Sequence, residues 1–162
     1  MPEAILPDVL APGLRLVFCG TAAGKRSAEA GAYYAHPGNM FWRTLHEIGL
    51  TSRRLRPDEF PLLPGLGIGL TDLGKYHFGN DNQLPEDAFD IEGLRAKIIE
   101  HAPGMLAFTS KNAARAALGR AVAYGLQEDM IGSTRLFVLP SPSGQARGAW
   151  DVAHWQTLAQ HL

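Results

Sequence analysis

Two stretches of this chain carry residue types that can hold a planar or anionic ligand. The first is Gly20-Thr21-Ala22-Ala23-Gly24, followed by Tyr33-Tyr34-Ala35-His36-Pro37-Gly38-Asn39-Met40-Phe41-Trp42. Small residues let backbone N–H groups approach a ligand, and glycine permits the dihedrals this needs. N–H groups exposed in that way can bind an anion or a developing oxyanion. Tyr33 or Tyr34 can stack on a planar base, and both suit a hydrophobic core equally well. A Gly-x-x-x-Gly spacing by itself also fits a plain tight turn. The second stretch is Leu139-Pro140-Ser141-Pro142-Ser143-Gly144-Gln145-Ala146-Arg147. Its prolines stiffen the backbone and Gly144 lets it turn sharply. A stiff loop ending in arginine can press into a DNA groove, or it can be a rigid strand-to-helix connection with a surface arginine.

The elements that must position these loops can be read from pattern. Leu14 to Gly20 reads as a buried strand. Thr21 to Gly38 reads as a long loop, a length usually tied to function. Met40, Phe41, Leu45 and Ile48 give helical spacing within Asn39–Ile48, and Gly49 ends that helix. Leu66 to Leu73 is a second strand, and Gly74 to Pro85 is polar and irregular. Asp90 caps a helix over Ile91–His101, Met105 to Thr109 is a third strand, and Ser110 caps a helix over Lys111–Leu118. Thr134 to Leu139 is a fourth strand, and Ala149 to Leu162 is a closing helix. Alternating strands and helices predict a three-layer α/β/α sandwich with a mainly parallel central sheet. With no internal repeat or linker, residues 1–162 read as a single domain. Ligands of such sheets bind at the carboxyl ends of the strands, where both loops fall.

The chain has 162 residues, 46% hydrophobic and 19% charged, enough for one domain with a real core. Its net charge of −1 argues against a large DNA footprint but allows a local one. Arg43, Arg53, Arg54 and Arg56 cluster in one stretch, while Asp81, Glu86, Asp87, Asp90 and Glu92 gather later, so one face can be basic. Any single arginine also suits a solvated surface. Cys19 is the one cysteine, set in an apolar strand where it reads as a small core residue. The six histidines have no metal-ligand spacing, so no metal is expected. Without a signal segment or a membrane-spanning apolar run, a cytoplasmic protein is expected.

Together, the strand ending in Gly-x-x-x-Gly, the Ala35–Trp42 segment and the late Pro-Ser-Gly loop closing on Arg147 resemble the mismatch-specific uracil-DNA glycosylase and thymine-DNA glycosylase family. The His-Pro-x-Asn-x-Phe-Trp segment is the most specific piece, and the resemblance runs from about Leu14 to the final helix. It implies a uracil-DNA glycosylase-like α/β/α enzyme without metal or organic cofactor, acting as a monomer on double-stranded DNA. Such an enzyme flips a nucleotide from the stack and hydrolyses its N-glycosidic bond. By position, Tyr34 would stack on the flipped base, and the backbone around Gly20 and Thr21 would contact the pyrimidine edge. Gly144, Gln145, Ala146 and Arg147 would form the wedge that fills the gap in the duplex, with Ser143 beside them. Lys25, Lys111 and Arg115 suit phosphate contacts. No lysine matches a Schiff-base nucleophile, so the expected product is an abasic site, with uracil opposite guanine as first substrate.

The chain departs from that family at Ala22, where the usual loop Gly-Ile-Asn-Pro-Gly places the asparagine that positions water. Alanine cannot hold water. Asp72, in Gly69-Leu70-Thr71-Asp72-Leu73, is the expected replacement, because its strand end should lie beside the end of the first strand. A carboxylate there can act as general base or stabilise an oxocarbenium-like sugar; an aspartate after a strand also serves as a cap. Asp81 is the reserve candidate. Ser141 stands where the family commonly has asparagine, and Gln145 where a bulkier apolar wedge is common, which predicts weaker discrimination by the opposite base. His36 is expected to shape its turn or contact DNA, and Asn39 to cap the following helix or contact substrate. Two other readings remain open: a lesion-binding module that lost catalysis, and a hydrolase of free nucleosides.

Overall fold

The computed structural model describes residues 3–162. The first strand, β1 (Leu16–Ala23), places its residues alternately on the two sheet faces, and both are apolar. Leu16 and Phe18 enter one core with Phe41, Leu45, Leu70, Phe137 and Trp155. Val17 and Cys19 enter the other with Leu94, Ile98, Phe108 and Ala114. A strand buried on both faces must be covered by helices on both faces. One face receives α2 (Phe41–Glu47) and α5 (Val152–Gln160); the other receives α3 (Ile91–His101) and α4 (Lys111–Leu118).

The sheet contains β2 (Ile68–Phe78), β3 (Met105–Phe108), β4 (Gly125–Ile131) and β5 (Thr134–Val138) in the order β2-β1-β3-β5-β4. All neighbours are parallel except β4, which runs antiparallel to β5. This is the expected α/β sandwich with a mostly parallel central sheet. The chain leaves β1 for β2 on one side and then crosses to β3 on the other. The carboxyl end of β1 is therefore the switch point where a ligand crevice opens.

Local signals act as read. The Asp90 carboxylate accepts the Gly93 N–H at 2.8 Å, and Ser110 Oγ accepts the Ala113 N–H at 3.1 Å. Each cap satisfies a helix donor that would otherwise lack a partner, a contribution of about 1 kcal/mol. Four expectations are corrected. The stretch Gly20 to Ala23 is not a loop but the end of β1, and β2 continues through the supposedly irregular Gly74 to Phe78. The long loop after β1 contains a short helix, α1 (Lys25–Ala30), which buries only Ser27. Strand β4 has no counterpart in the reading, because its Gln127, Glu128 and Asp129 give no apolar alternation. It is an edge strand, where charge blocks further pairing.

The segment before β1 is held against β2. Val9 and Leu70 exchange backbone hydrogen bonds at 2.9 Å in both directions. Gly69 makes this approach possible, since a Cβ there would lie 2.5 Å from Val9 O and 2.7 Å from Leu14 Cδ1. Gly69→Ala is expected to destabilise the protein by about 2 kcal/mol through overpacking, measured by urea unfolding. Faster hydrogen exchange at the Leu70 amide should accompany the loss.

Candidate active site

Gly20 lies opposite Asp72 in the β1–β2 register. A Cβ on Gly20 would meet Asp72 Oδ1 at 2.9 Å, Thr109 Oγ1 at 3.3 Å and the Tyr34 hydroxyl at 3.4 Å. Three oxygens from three segments thus converge over a residue with no side chain. Thr109 follows β3 directly; its N–H donates to Cys19 O at 2.9 Å, which ties it to β1. Its hydroxyl lies 3.2 Å from the Tyr34 hydroxyl, with either able to donate. The Tyr34 ring stacks on Phe41 with centroids 4.0 Å apart and planes 18° apart. Tyr34 has φ 53°, a left-handed conformation that costs a non-glycine residue about 1–3 kcal/mol. The Phe41 stack and the Thr109 hydrogen bond hold the ring there against that cost. These groups form part of the lining of an open cleft of about 1090 Å³.

Asp72 is 8% exposed, and burial pushes its carboxyl up from 3.8 to about 7. The positive charge of Lys75 pulls it back, Asp8 pushes it further up, and the Gly20 amide favours the anion. Lys75 belongs to a buried network behind the cleft. Its ammonium is 2.9 Å from Asp8 and donates to the Tyr33 hydroxyl at 3.0 Å. Asp8 also meets Lys97 at 2.7 Å and accepts the Thr71 hydroxyl at 2.7 Å. Burial raises Asp8, but Lys75 and these hydrogen bonds outweigh it and hold the carboxyl below its ordinary range. Burial raises the Tyr33, Tyr34 and Cys19 protons well above neutrality. Asp72 can therefore exchange a proton near pH 7 while these three neighbours stay protonated.

The two loops singled out in the sequence meet as a seam. The Met40 N–H donates to Pro142 O at 2.8 Å, and a Cβ on Gly144 would lie 3.1 Å from Gly38 O. His36 Nδ1 accepts the Gly38 N–H at 2.9 Å, which closes the turn. Asn39 Oδ1 accepts the Phe41 N–H at 2.9 Å, at the start of α2. Ser141 Oγ accepts from the Ser143 N–H, and Ser143 Oγ from the Gln145 N–H, so the loop is braced from within. Gln145 and Arg147 are exposed at the mouth of the cleft.

The cleft brings together Gly20, Thr21, Ala22, Lys25, Tyr34, Asn39 and Asp72 with Ser141, Ser143, Gly144, Gln145, Ala146 and Arg147. Lys111 is not among its lining residues; its ammonium sits 4.4 Å over the Tyr124 ring. Arg115 donates to Asn112. Both tyrosines reach the cleft lining; Tyr33 is a buried core residue with its hydroxyl donating to Pro7 O, and Tyr34 puts its hydroxyl over Gly20. Asp81 is exposed and accepts from Thr21 Oγ1 at 2.7 Å and Asn112 Nδ2 at 2.8 Å, which links two walls of the cleft. Thr109 and Asn112 escaped the sequence reading, although Thr109 ends a predicted strand just as Asp72 does. Among the described residues, no three His, Cys, Asp or Glu side chains gather as a metal would require.

The elevated Asp72 proton affinity carries a stability consequence. Between about pH 4 and 7 the folded protein holds a proton that the unfolded chain releases, so stability falls as pH rises through this window. Asp72→Asn removes the effect. The variant is expected to match wild type near pH 4 and to exceed it at pH 8, by on the order of 4 kcal/mol at most. Urea unfolding of both proteins across this range measures the difference.

Residues 7–160 match the uracil DNA glycosylase superfamily. The fold is similar to the solution NMR structure of "a putative Uracil DNA glycosylase from Methanosarcina acetivorans", with a TM-score of 0.65 and 20% sequence identity over 98% of this chain and 96% of that one. No helix among the described residues is long and apolar enough to cross a membrane. With the family matched over almost the whole length, the chain belongs to the uracil DNA glycosylase superfamily.

Proposed function

We propose that this protein is a monofunctional DNA glycosylase that removes uracil from double-stranded DNA, G·U mismatches first, and leaves an abasic site. The observation that carries the proposal is the buried Asp72 carboxylate over Gly20, with the Tyr34 and Thr109 hydroxyls beside it, in a cleft open to solvent. Supporting it are the superfamily membership and a stiff loop that places Gly144 to Arg147 at the cleft mouth.

In the proposed reaction the flipped base stacks on Tyr34, and the backbone around Gly20 and Thr21 contacts its edge. The bond between the sugar C1′ and the base nitrogen breaks, and its electron pair leaves with the base. Asp72, as the anion, faces the positive charge that develops on the sugar. A water molecule then adds its oxygen to C1′ and gives its proton to Asp72, a general base poised near neutral pH. Ala22 offers no polar group for this water, so the carboxylate takes over the work of the asparagine usual at that position. Gly20 has a steric reason to lack a side chain, since any Cβ would collide with Asp72. The wedge loop needs an opposite strand to fill against, which favours duplex DNA. Polar Gln145 in that wedge supports modest discrimination by the opposite base.

The test is single-turnover excision from a labelled duplex carrying one G·U pair. Wild type is expected to form abasic sites, with a rate that rises as Asp72 ionises and levels off above about pH 7. Asp72→Ala and Asp72→Asn should slow excision by roughly 10²-fold or more. Retention of the wild-type rate by either variant would remove Asp72 from catalysis. A wild type that binds the duplex but releases no base would point instead to a lesion-binding module, and release from free deoxyuridine without gain from a duplex to a nucleoside hydrolase.

A further inference from the structure

The four arginines between residues 43 and 56 divide into two groups. Arg53 donates to both Glu59 oxygens, at 2.9 and 2.6 Å, and Arg56 meets Asp58 at 3.1 Å and Glu59 at 3.8 Å. Arg54 has no carboxylate within 4.0 Å among the described residues, and Arg43 only reaches Glu47 at 4.0 Å, on the same exposed helix face. Arg43 and Arg54 line a second pocket, of about 290 Å³, together with Arg147 of the wedge loop and Trp150. The three arginines come from α2, the turn after it and a loop about a hundred residues later, yet they converge on one concavity whose lining holds no carboxylate among the described residues.

Three guanidinium groups around one small pocket repel one another unless an anion sits between them. Arginine's planar fork suits the oxygens of a phosphate, and it stays charged at every working pH. The pocket shares Gly38, Asn39 and Arg147 with the base cleft, so it lies just across the seam of the two loops. We propose that Arg43, Arg54 and Arg147 form a binding site for one backbone phosphodiester of DNA, flanking the nucleotide held in the cleft. This rests on DNA being the substrate. It also answers how a chain of net charge −1 holds a polyanion: the charge is concentrated at one point beside the cleft instead of spread over the surface.

The experiment is equilibrium binding of labelled duplexes, read by fluorescence anisotropy between about 50 and 200 mM salt, a range in which phosphate contacts show clearly. The proteins are wild type, Arg54→Lys, Arg54→Gln, the Arg43→Gln/Arg54→Gln double variant and Arg95→Gln, an exposed α3 arginine that lines neither pocket. Unchanged thermal melting confirms that each folds. The double variant is expected to bind about tenfold more weakly and to lower the salt slope by about one at most, the share of the single phosphate that the arginines hold. Arg54→Lys should keep the slope and lose part of the affinity, and Arg95→Gln should match wild type. A set of duplexes with single neutral methylphosphonate linkages then locates the phosphate. One position should weaken wild type and leave the double variant unaffected. A double variant with wild-type affinity and slope overturns the site, as does a methylphosphonate scan in which no position loses its effect in that variant. Because the readout is binding, a wild type that bound normally but excised no uracil would defeat the proposed activity and leave the phosphate site standing.

Discussion

The site depends on one register. Pairing Gly20 with Asp72 across the β1–β2 ladder sets a carboxylate beside a residue that has no side chain. A shift of one residue would turn Asp72 to the opposite sheet face, into the core that holds Cys19, Leu73 and Phe108. The register is held by apolar residues far from the chemistry. Leu16 opposite Ile68 and Phe18 opposite Leu70 face the same core, and this alignment buries all four. Core packing and site geometry are therefore one constraint at the end of this strand pair.

Burial then sets the chemistry. Asp72 loses its hydration and holds its proton to about pH 7, the range in which an acid or base is useful in a cell. Burial alone would push further. The Lys75 charge limits it, and Lys75 can itself be buried only because Asp8 and the Tyr33 hydroxyl satisfy it. The segment before β1, which brings Asp8 and accepts the Tyr33 hydroxyl at Pro7 O, is thus electrically part of the site. The same network fixes Tyr33, whose neighbour Tyr34 bends into a left-handed conformation to face the cleft.

Glycines at the cleft follow from close approach. Gly38 and Gly144 let two loops meet backbone to backbone, so the turn that enters α2 braces the loop that carries Arg147. A stiff seam of this kind stands between two concavities, one with the buried Asp72 carboxylate and the Tyr34 and Thr109 hydroxyls in its lining, the other with Arg43, Arg54 and Arg147. The division suits a ligand with an uncharged planar part and a charged backbone.

Much of this was legible in the sequence. The apolar runs at β1, β3 and β5, the caps at Asp90 and Ser110, and the loops around Tyr34 and Pro140 all report local physics: burial period, helix-end hydrogen bonds and turn chemistry. Parallel strands with helices between them then place Asp72 next to the end of β1, so its neighbourhood could be inferred from order alone. What the sequence could not show depends on contacts between distant segments. Lys75 falls in a stretch that reads as polar and irregular, and it can be a buried strand residue only because Asp8 arrives from the amino-terminal segment to neutralise it. Thr109 reads as the end of a strand until Tyr34 and Asp72 close over Gly20. Strand β4 carries too much charge to be read as a strand until β5 supplies its partner. The run from Arg43 to Arg56 reads as one basic face, but Glu59 and Asp58 occupy two of its members and leave Arg43 and Arg54 beside Arg147. Residue type and period determined the elements and the end of the sheet where chemistry could occur. Which charges are compensated, and which proton is held near neutral pH, only the tertiary structure decided, because electrostatic energy depends on distance through space and on the exclusion of water.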